Sequence, residues 1–346
     1  MALRTPKLLT LAALLVAATG CEDELAAPDD GGVYSDASAA NATIQGFVWD
    51  PEAYWLAFAA CGQNCMLPPL LLSFSPLYQM AAVPNAVVGL FDPLQPTMPL
   101  AYPGAGPTAT NGGYNITGVP IRSNPPFFPL VALVQPGPGS DGGAPQVGYL
   151  PTLTMKPIAT GKSTLCIDQS TLVASDSGVL EAVAKHLTAT GKATTVADLL
   201  DPTKSGGVVI WWLWIPGNGL RVPAFGTGMT ADAGTTFNIS WLPPGVGPPF
   251  ITAIQSKRGF YVNSIGPMAP GAAPGLTVTV MPPLAGPPPS VTFTAVDPVT
   301  DMASGRPFMF PKLSGIQVAP GAVMFGELQA LAPGASGAPP DWVCLP

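Results

Sequence analysis

The stretch Ala159-Thr-Gly-Lys-Ser-Thr164 is the first place where residue types suggest chemistry. Glycine, lysine and a hydroxyl in that order end a phosphate-binding loop, whose backbone amides must wrap the anion. Such a loop needs another glycine five residues before Gly161, and that position is Lys156. No helix-forming run follows, so a hairpin turn at Gly161 is the better reading. His186 is the single histidine, and any Ser-His-Asp relay would have to pass through it. It lies between Lys185 and Leu187 in a helical stretch, and no G-x-S-x-G elbow occurs in the sequence. Paired carboxylates could cleave glycosides without a histidine. The acids, however, stand singly along turns and linkers, as at Asp92, Asp232, Asp297 and Asp301. The sequence therefore predicts no catalytic residue, no metal and no cofactor, in a protein that is not an enzyme.

Cysteine and tryptophan remain. Setting Cys21 aside, Cys61, Cys65, Cys166 and Cys344 make an even number, as expected of a disulfide-forming chain in an oxidising compartment. Four cysteines allow three pairings. Cys61–Cys65, close in sequence, and Cys166–Cys344, which would clip the tail back, are the favoured pair of bridges. A metal on the C-x3-C lacks a second nearby pair of ligands. Among the aromatics, Val208-Val-Ile-Trp-Trp-Leu-Trp-Ile215 puts Trp212 and Trp214 on one side of a strand. Exposed, they would form a stacking platform for sugar rings. Buried on both faces, as apolar runs without polar alternation usually are, they would be core.

The elements that must position these residues follow an N-terminal address. Met1 to Gly20 has a short basic start (Arg4, Lys7), an apolar run from Leu8 to Ala18 and small residues, the order of a secretory signal. The run is too short to span a bilayer as a helix. Ala18-Thr-Gly-Cys21 resembles the lipobox of bacterial lipoproteins, with Ala18 where leucine is usual, and the resemblance implies a lipid on Cys21. Residues 21–42, acidic and rich in Pro and Gly, read as a solvated tether. Signal and lipid together predict an extracytoplasmic protein anchored to a bacterial membrane, at the outer membrane or cell surface.

Only 10% of the 346 residues are charged while 47% are hydrophobic, ample apolar material for two domains. The 44 prolines and 39 glycines punctuate strand-like runs and so read as turns and edges. Residues 1–20 carry two of the 13 basic residues and no acid, leaving 11 basic against 20 acidic residues and a net charge of −9 in the mature chain. A surface of that sign gains nothing from phosphates, which argues against nucleic acid.

A repeat organises the rest. Tyr114-Asn-Ile-Thr-Gly-Val-Pro120 reappears as Phe237-Asn-Ile-Ser-Trp-Leu-Pro243, and Pro-Pro-Phe follows both copies at the same spacing, at 125–127 and 248–250. In the first copy Tyr114 and Ile116 face one way and Asn115 and Thr117 the other. Asn111-Gly112-Gly113 supplies the preceding turn, and Asp50-Pro51-Glu52 reads as a helix start with Asp50 as cap. Between the copies, Val179, Leu180, Val183 and Leu187 form a helical stripe ending at Gly191. A second helix is capped by Thr195 with Asp198 and stopped by Pro202.

Gly46-Phe-Val-Trp-Asp50, Ala86-Val-Val-Gly-Leu90 and Gly113-Tyr-Asn-Ile116 together resemble the carboxypeptidase regulatory-like (prealbumin-like) β-sandwich, found in tandem on bacterial surface proteins. The family's closing P-G-x-Y is replaced here by PPFFPL, and the insertion after Asp50 is long for it. The resemblance implies a mainly β chain of two tandem sandwiches: one over 43–170 with an apolar insertion at 53–82, a helical connector at 171–205, and a second over 206–346. It also implies a structural, adhesive or display role in the cell envelope, with carbohydrate binding through exposed aromatics as the alternative. The expected partners are the membrane, through the lipid, and an envelope protein or polysaccharide.

Overall fold

The computed structural model describes residues 41–61, 81–91, 108–120, 127–135, 148–159, 164–171, 173–174, 178–192, 194–216, 221–241, 259–263 and 275–335. Its first half contains β1 (Asn41–Trp49), α1 (Pro51–Cys61), β2 (Val87–Phe91), β3 (Gly113–Pro120) and β4 (Phe127–Gln135). Next come β5 (Tyr149–Leu150), β6 (Thr152–Ala159), β7 (Thr164–Thr171), β8 (Val173–Ala174), α2 (Gly178–Ala189) and α3 (Val196–Leu199). The second half contains β9 (Val208–Pro216), β10 (Arg221–Pro223), β11 (Gly228–Ala231), β12 (Thr235–Trp241), β13 (Phe260–Val262) and β14 (Leu276–Val280). It ends with β15 (Ser290–Val296), β16 (Thr300–Asp301), β17 (Arg306–Pro307), β18 (Leu313–Gln317) and β19 (Val323–Gln329).

The chain is mainly β, and its centre is one large open sheet in the order β13-β12-β14-β9-β19-β6-β4-β2, with β10 paired to β9. β9 sits in the middle for a reason written in its residues. Val208 to Trp214 are all buried, and alternate side chains enter two different cores. Val208, Ile210, Trp212 and Trp214 pack with Phe237, Ile239 and Phe325 beneath Tyr54 and Leu56 of α1 and Val179, Leu180 and Val183 of α2. Val209, Trp211 and Leu213 face Met229, Val291, Phe293 and Ile316, from a second sheet ordered β11-β15-β18. Two stacked sheets with helices over the outer face of the larger one satisfy a strand that has no polar side.

The strand order does not follow the expected division into two sandwiches. Strands β2, β4 and β6 of the first half and β9, β12 and β14 of the second hydrogen-bond into one sheet. The joint is β19, which runs parallel to β6 on one side (Val323 opposite Thr152) and parallel to β9 on the other (Val323 opposite Val208). β19, the last of the described strands, lies between the halves. Gly326 permits the fit. A Cβ there would overlap the Trp211 ring, which lies against β19 with its edge toward Phe293 at 5.3 Å.

The repeated heptads also part company. In β3, Tyr114 and Ile116 are buried while Asn115 and Thr117 are exposed, as the alternation predicts. Phe237 and Ile239 of β12 are buried likewise. But β3 is the edge of a separate sheet, β3-β1-β7, whereas β12 is interior to the large one between β13 and β14. Alternation encodes which face is buried and says nothing of the neighbouring strand, so like sequences occupy unlike places. The helices between them match expectation more closely. Thr195 and Asp198 form a reciprocal capping box on α3, and the buried Val179, Leu180 and Val183 press α2 onto the sheet. α2 and α3, from the expected 171–205 connector, lie on the main core as part of the helical layer. Likewise residues 53–61 of the expected insertion form most of α1, and Tyr54, Trp55 and Leu56 are core.

Candidate functional site

Polar and aromatic groups gather where β1 passes into α1. Asp50 ends the strand with its carboxylate turned back on the helix. The amides of Glu52 and Ala53 both donate to Asp50 Oδ1, at 2.9 Å each. That is the cap expected of an Asp-Pro-Glu start, where the first-turn amides lack helical partners. Asp50 Oδ2 accepts from the Tyr149 hydroxyl at 2.9 Å, tying β5 to the same carboxylate.

Glu52, two residues on, reaches the start of α2. Its Oε1 accepts from the Val179 amide at 2.5 Å, across 127 residues of sequence. A carboxylate placed there also meets the positive end of the helix dipole. Gly178 makes the approach possible: its φ is +78°, and any side chain there would collide with the Glu52 carboxylate. Asp50 and Glu52 are each about 1% exposed, so the pair is closed to solvent. Burial, then the charge and hydrogen bond of Asp50 and the charge of Glu52, push the Tyr149 hydroxyl far above the ordinary tyrosine range.

An aromatic stack underlies the acids. Trp49 lies parallel to Trp212, with ring centres 5.6 Å apart and 3° between planes, and Trp212 meets Trp214 at 4.4 Å. Tyr54 places its ring edge-on to Trp49 at 5.0 Å and to Trp212 at 5.8 Å. Offset and edge-on contacts of this kind stabilise by roughly 0.5–1.5 kcal/mol each beyond area burial. Together they join β1 of the small sheet to β9 of the large one. Trp212 and Trp214, considered from sequence as a sugar platform, are 0% and 1% exposed and offer no free ring face. Trp55 and Trp241 are buried as well. The run lacks polar alternation because both of its sides are covered.

The sequence flagged the other candidates with uneven success. His186 lies on α2 with its ring edge-on to Phe237 at 5.6 Å, a packing role. Asp232 accepts from the Thr292 amide at 2.8 Å, and Asp301 holds its own turn through the amides of Ala303 and Ser304. Asp198 bonds Lys204 and Thr195, and these bonds, the lysine's first, hold its carboxyl well below the usual range. An open groove of about 450 Å³ between α2 and α3 is lined by Glu181, Lys185, Thr188 and Thr194, whose polar groups already bond one another. Asp92, the side chains of the possible anion loop at Ala159–Thr164, and the pairing of Cys61, Cys65, Cys166 and Cys344 fall on residues or side chains outside those described, as does Cys21. The buried acid pair was missed. Its signal is two carboxylates inside Gly46-Phe-Val-Trp-Asp-Pro-Glu-Ala-Tyr-Trp-Leu56, an otherwise apolar stretch.

Fold and site define a mainly β protein whose polar centre is a junction between layers. No protein-family model matches the chain, and no curated protein matches its sequence. Among solved structures, the Bacillus anthracis TIE protein aligns over 84% of this chain at 7% identity with a TM-score of 0.22. The chain spans about a third of that protein, 34% of its length. A streptococcal ancillary pilin aligns over 84% of this chain and 68% of its own at 8% identity and a TM-score of 0.19. A minor pilin of Streptococcus agalactiae aligns over 86% of this chain and 100% of its own at 7% identity and a TM-score of 0.18. At such scores the chain paths coincide only locally, and the alignments carry no argument about fold or role.

Proposed function

We propose that this is a non-catalytic structural or adhesive protein of the bacterial cell envelope, held by a lipid on Cys21 and displaying a rigid β body beyond a tether. The supporting observation is the junction itself. Its two carboxylates accept backbone amides and a tyrosine hydroxyl, and its tryptophans stack on one another. Groups that elsewhere do chemistry here fasten layers together, behind a surface that closes them to substrate. The sequence supports the address: a signal-like start, Ala18-Thr-Gly-Cys21, and an acidic Pro/Gly-rich run after it. No helix among the described residues is long and apolar enough to cross a membrane. The partner is an envelope protein or polysaccharide.

Cys21→Ser tests the address. The variant leaves the membrane fraction and accumulates in the soluble one, because a single lipidated residue provides the attachment. Retention of the variant in the membrane fraction, with unchanged processing, refutes the lipid anchor.

A further inference from the structure

An anchored protein that adheres is pulled, and among the described residues a pull from the N-terminal side first reaches β1. The chain following Cys21 joins the described body at Asn41, the first residue of β1. β1 is the middle strand of its sheet. On one side it pairs antiparallel with β3, from Asn41 opposite Pro120 to Phe47 opposite Gly113. On the other it pairs parallel with β7, from Thr43 opposite Thr164 to Trp49 opposite Thr171. Tension along a strand held between two ladders loads many hydrogen bonds at once, and they must fail together. Tension across an edge strand opens its bonds one after another.

The far end of β1 is also locked. The Val48 amide donates to Gly112 O at 2.8 Å, Val48 O accepts from Val83, and the Asp50 amide donates to Ala81 O. Trp49, fully buried, is stacked on Trp212 of the large sheet. Asp50 and Glu52, the next acids along, fasten α1 to β5 and α2. We propose that β1 carries tension from the N-terminal tether into the large sheet through Trp49 and the acid junction. This rests on the anchored reading of Cys21 for its biological meaning, but the mechanical property belongs to the fold.

The test is single-molecule unfolding at constant force, on the full mature chain held by chemical handles at its two ends. Forced unfolding reports the barrier and its rate. Gln45→Pro, which breaks the ladders of β1, raises the unfolding rate at a fixed force roughly tenfold. Trp49→Leu, which keeps an apolar side chain but removes the stack, shifts the rate in the same direction and serves if the proline variant does not fold. Tyr261→Pro, in the edge strand β13, leaves the rate under force within about twofold of the parent even where its melting temperature falls as far. An unfolding rate indifferent to both β1 changes, or raised as much by Tyr261→Pro, overturns the proposal. Because the handles replace the lipid, a membrane-retained Cys21→Ser variant would remove the anchor and leave this result standing.

Discussion

Tyr149 and Gly326 show how much a single residue decides here. Tyr149 is held neutral by burial and by its bond to the Asp50 carboxylate. Its folded pKa lies above its unfolded value of about 10. The stability it contributes is therefore fully present below pH 10 and is lost as pH rises, because the unfolded chain releases the proton and the folded one keeps it. Stability of the parent should fall by up to about 1.4 kcal/mol per pH unit from this group above pH 10. Tyr149→Phe, less stable at neutral pH, should show a shallower loss between pH 10 and 11.5. Urea titrations of both proteins across that range measure the difference in slope, and parallel slopes would contradict the assignment. Gly326 acts through space alone. Gly326→Val places two methyl groups where the Trp211 ring lies, and overpacking of this kind costs about 1–3 kcal/mol. The expected outcome is a lower urea midpoint with an unchanged m-value.

At the scale of elements, local signals in the sequence were legible and partner choice was not. Thr195, Asp198 and Pro202 bracket α3, Asp50 caps α1, and the stripe from Val179 to Leu187 places α2, because caps and amphipathic faces are encoded within a few residues. Tyr114 to Thr117 gave a correct face for β3 for the same reason. The pairing of β3 with β1, and of β12 with β13 and β14, depends on contacts far along the chain, and alternation carries no trace of it. The acid junction escaped notice on similar grounds: Asp50 and Glu52 look like an ordinary helix start until α2 arrives from 127 residues away. That junction makes a prediction about α2 as an element. Glu52→Ala strands the Val179 amide and the dipole end behind a closed surface, at a cost of about 1–3 kcal/mol. Amide exchange at residues 179–183 should accelerate more than exchange in β15, which packs on the opposite face of the large sheet. Uniform acceleration in both would mean that α2 is not held locally by Glu52.

For the whole molecule, the question is whether the chain behaves as one body or two. Two tandem sandwiches would share a connector and a modest interface, and would survive separation. The observed sheet runs through both halves, with β19 parallel to β6 and to β9, and α1 and Trp49 of the first half cover the β9 face of the second. Cutting the connector should therefore cut a covalent bond without dividing the fold. Thr203 and Lys204 are exposed between α3 and β9 and accept a protease recognition sequence there. After cleavage, the fragments ending at Thr203 and beginning at Lys204 should co-elute at the size of the intact protein, and should melt together in one transition. Neither fragment should fold alone, since each would leave a strand edge and an apolar face uncovered: β6 in the first, and β19 with the Trp212–Trp214 side of β9 in the second. Phe325→Asp sharpens the test. It buries a charge in β19 among the residues that meet the helices, and an unpaired buried charge is strongly destabilising. The nicked variant should dissociate at a urea concentration the nicked parent withstands. Fragments that part on cleavage and then melt independently, each with its own Tm, would restore the two-domain division that the spacing of the repeat first suggests.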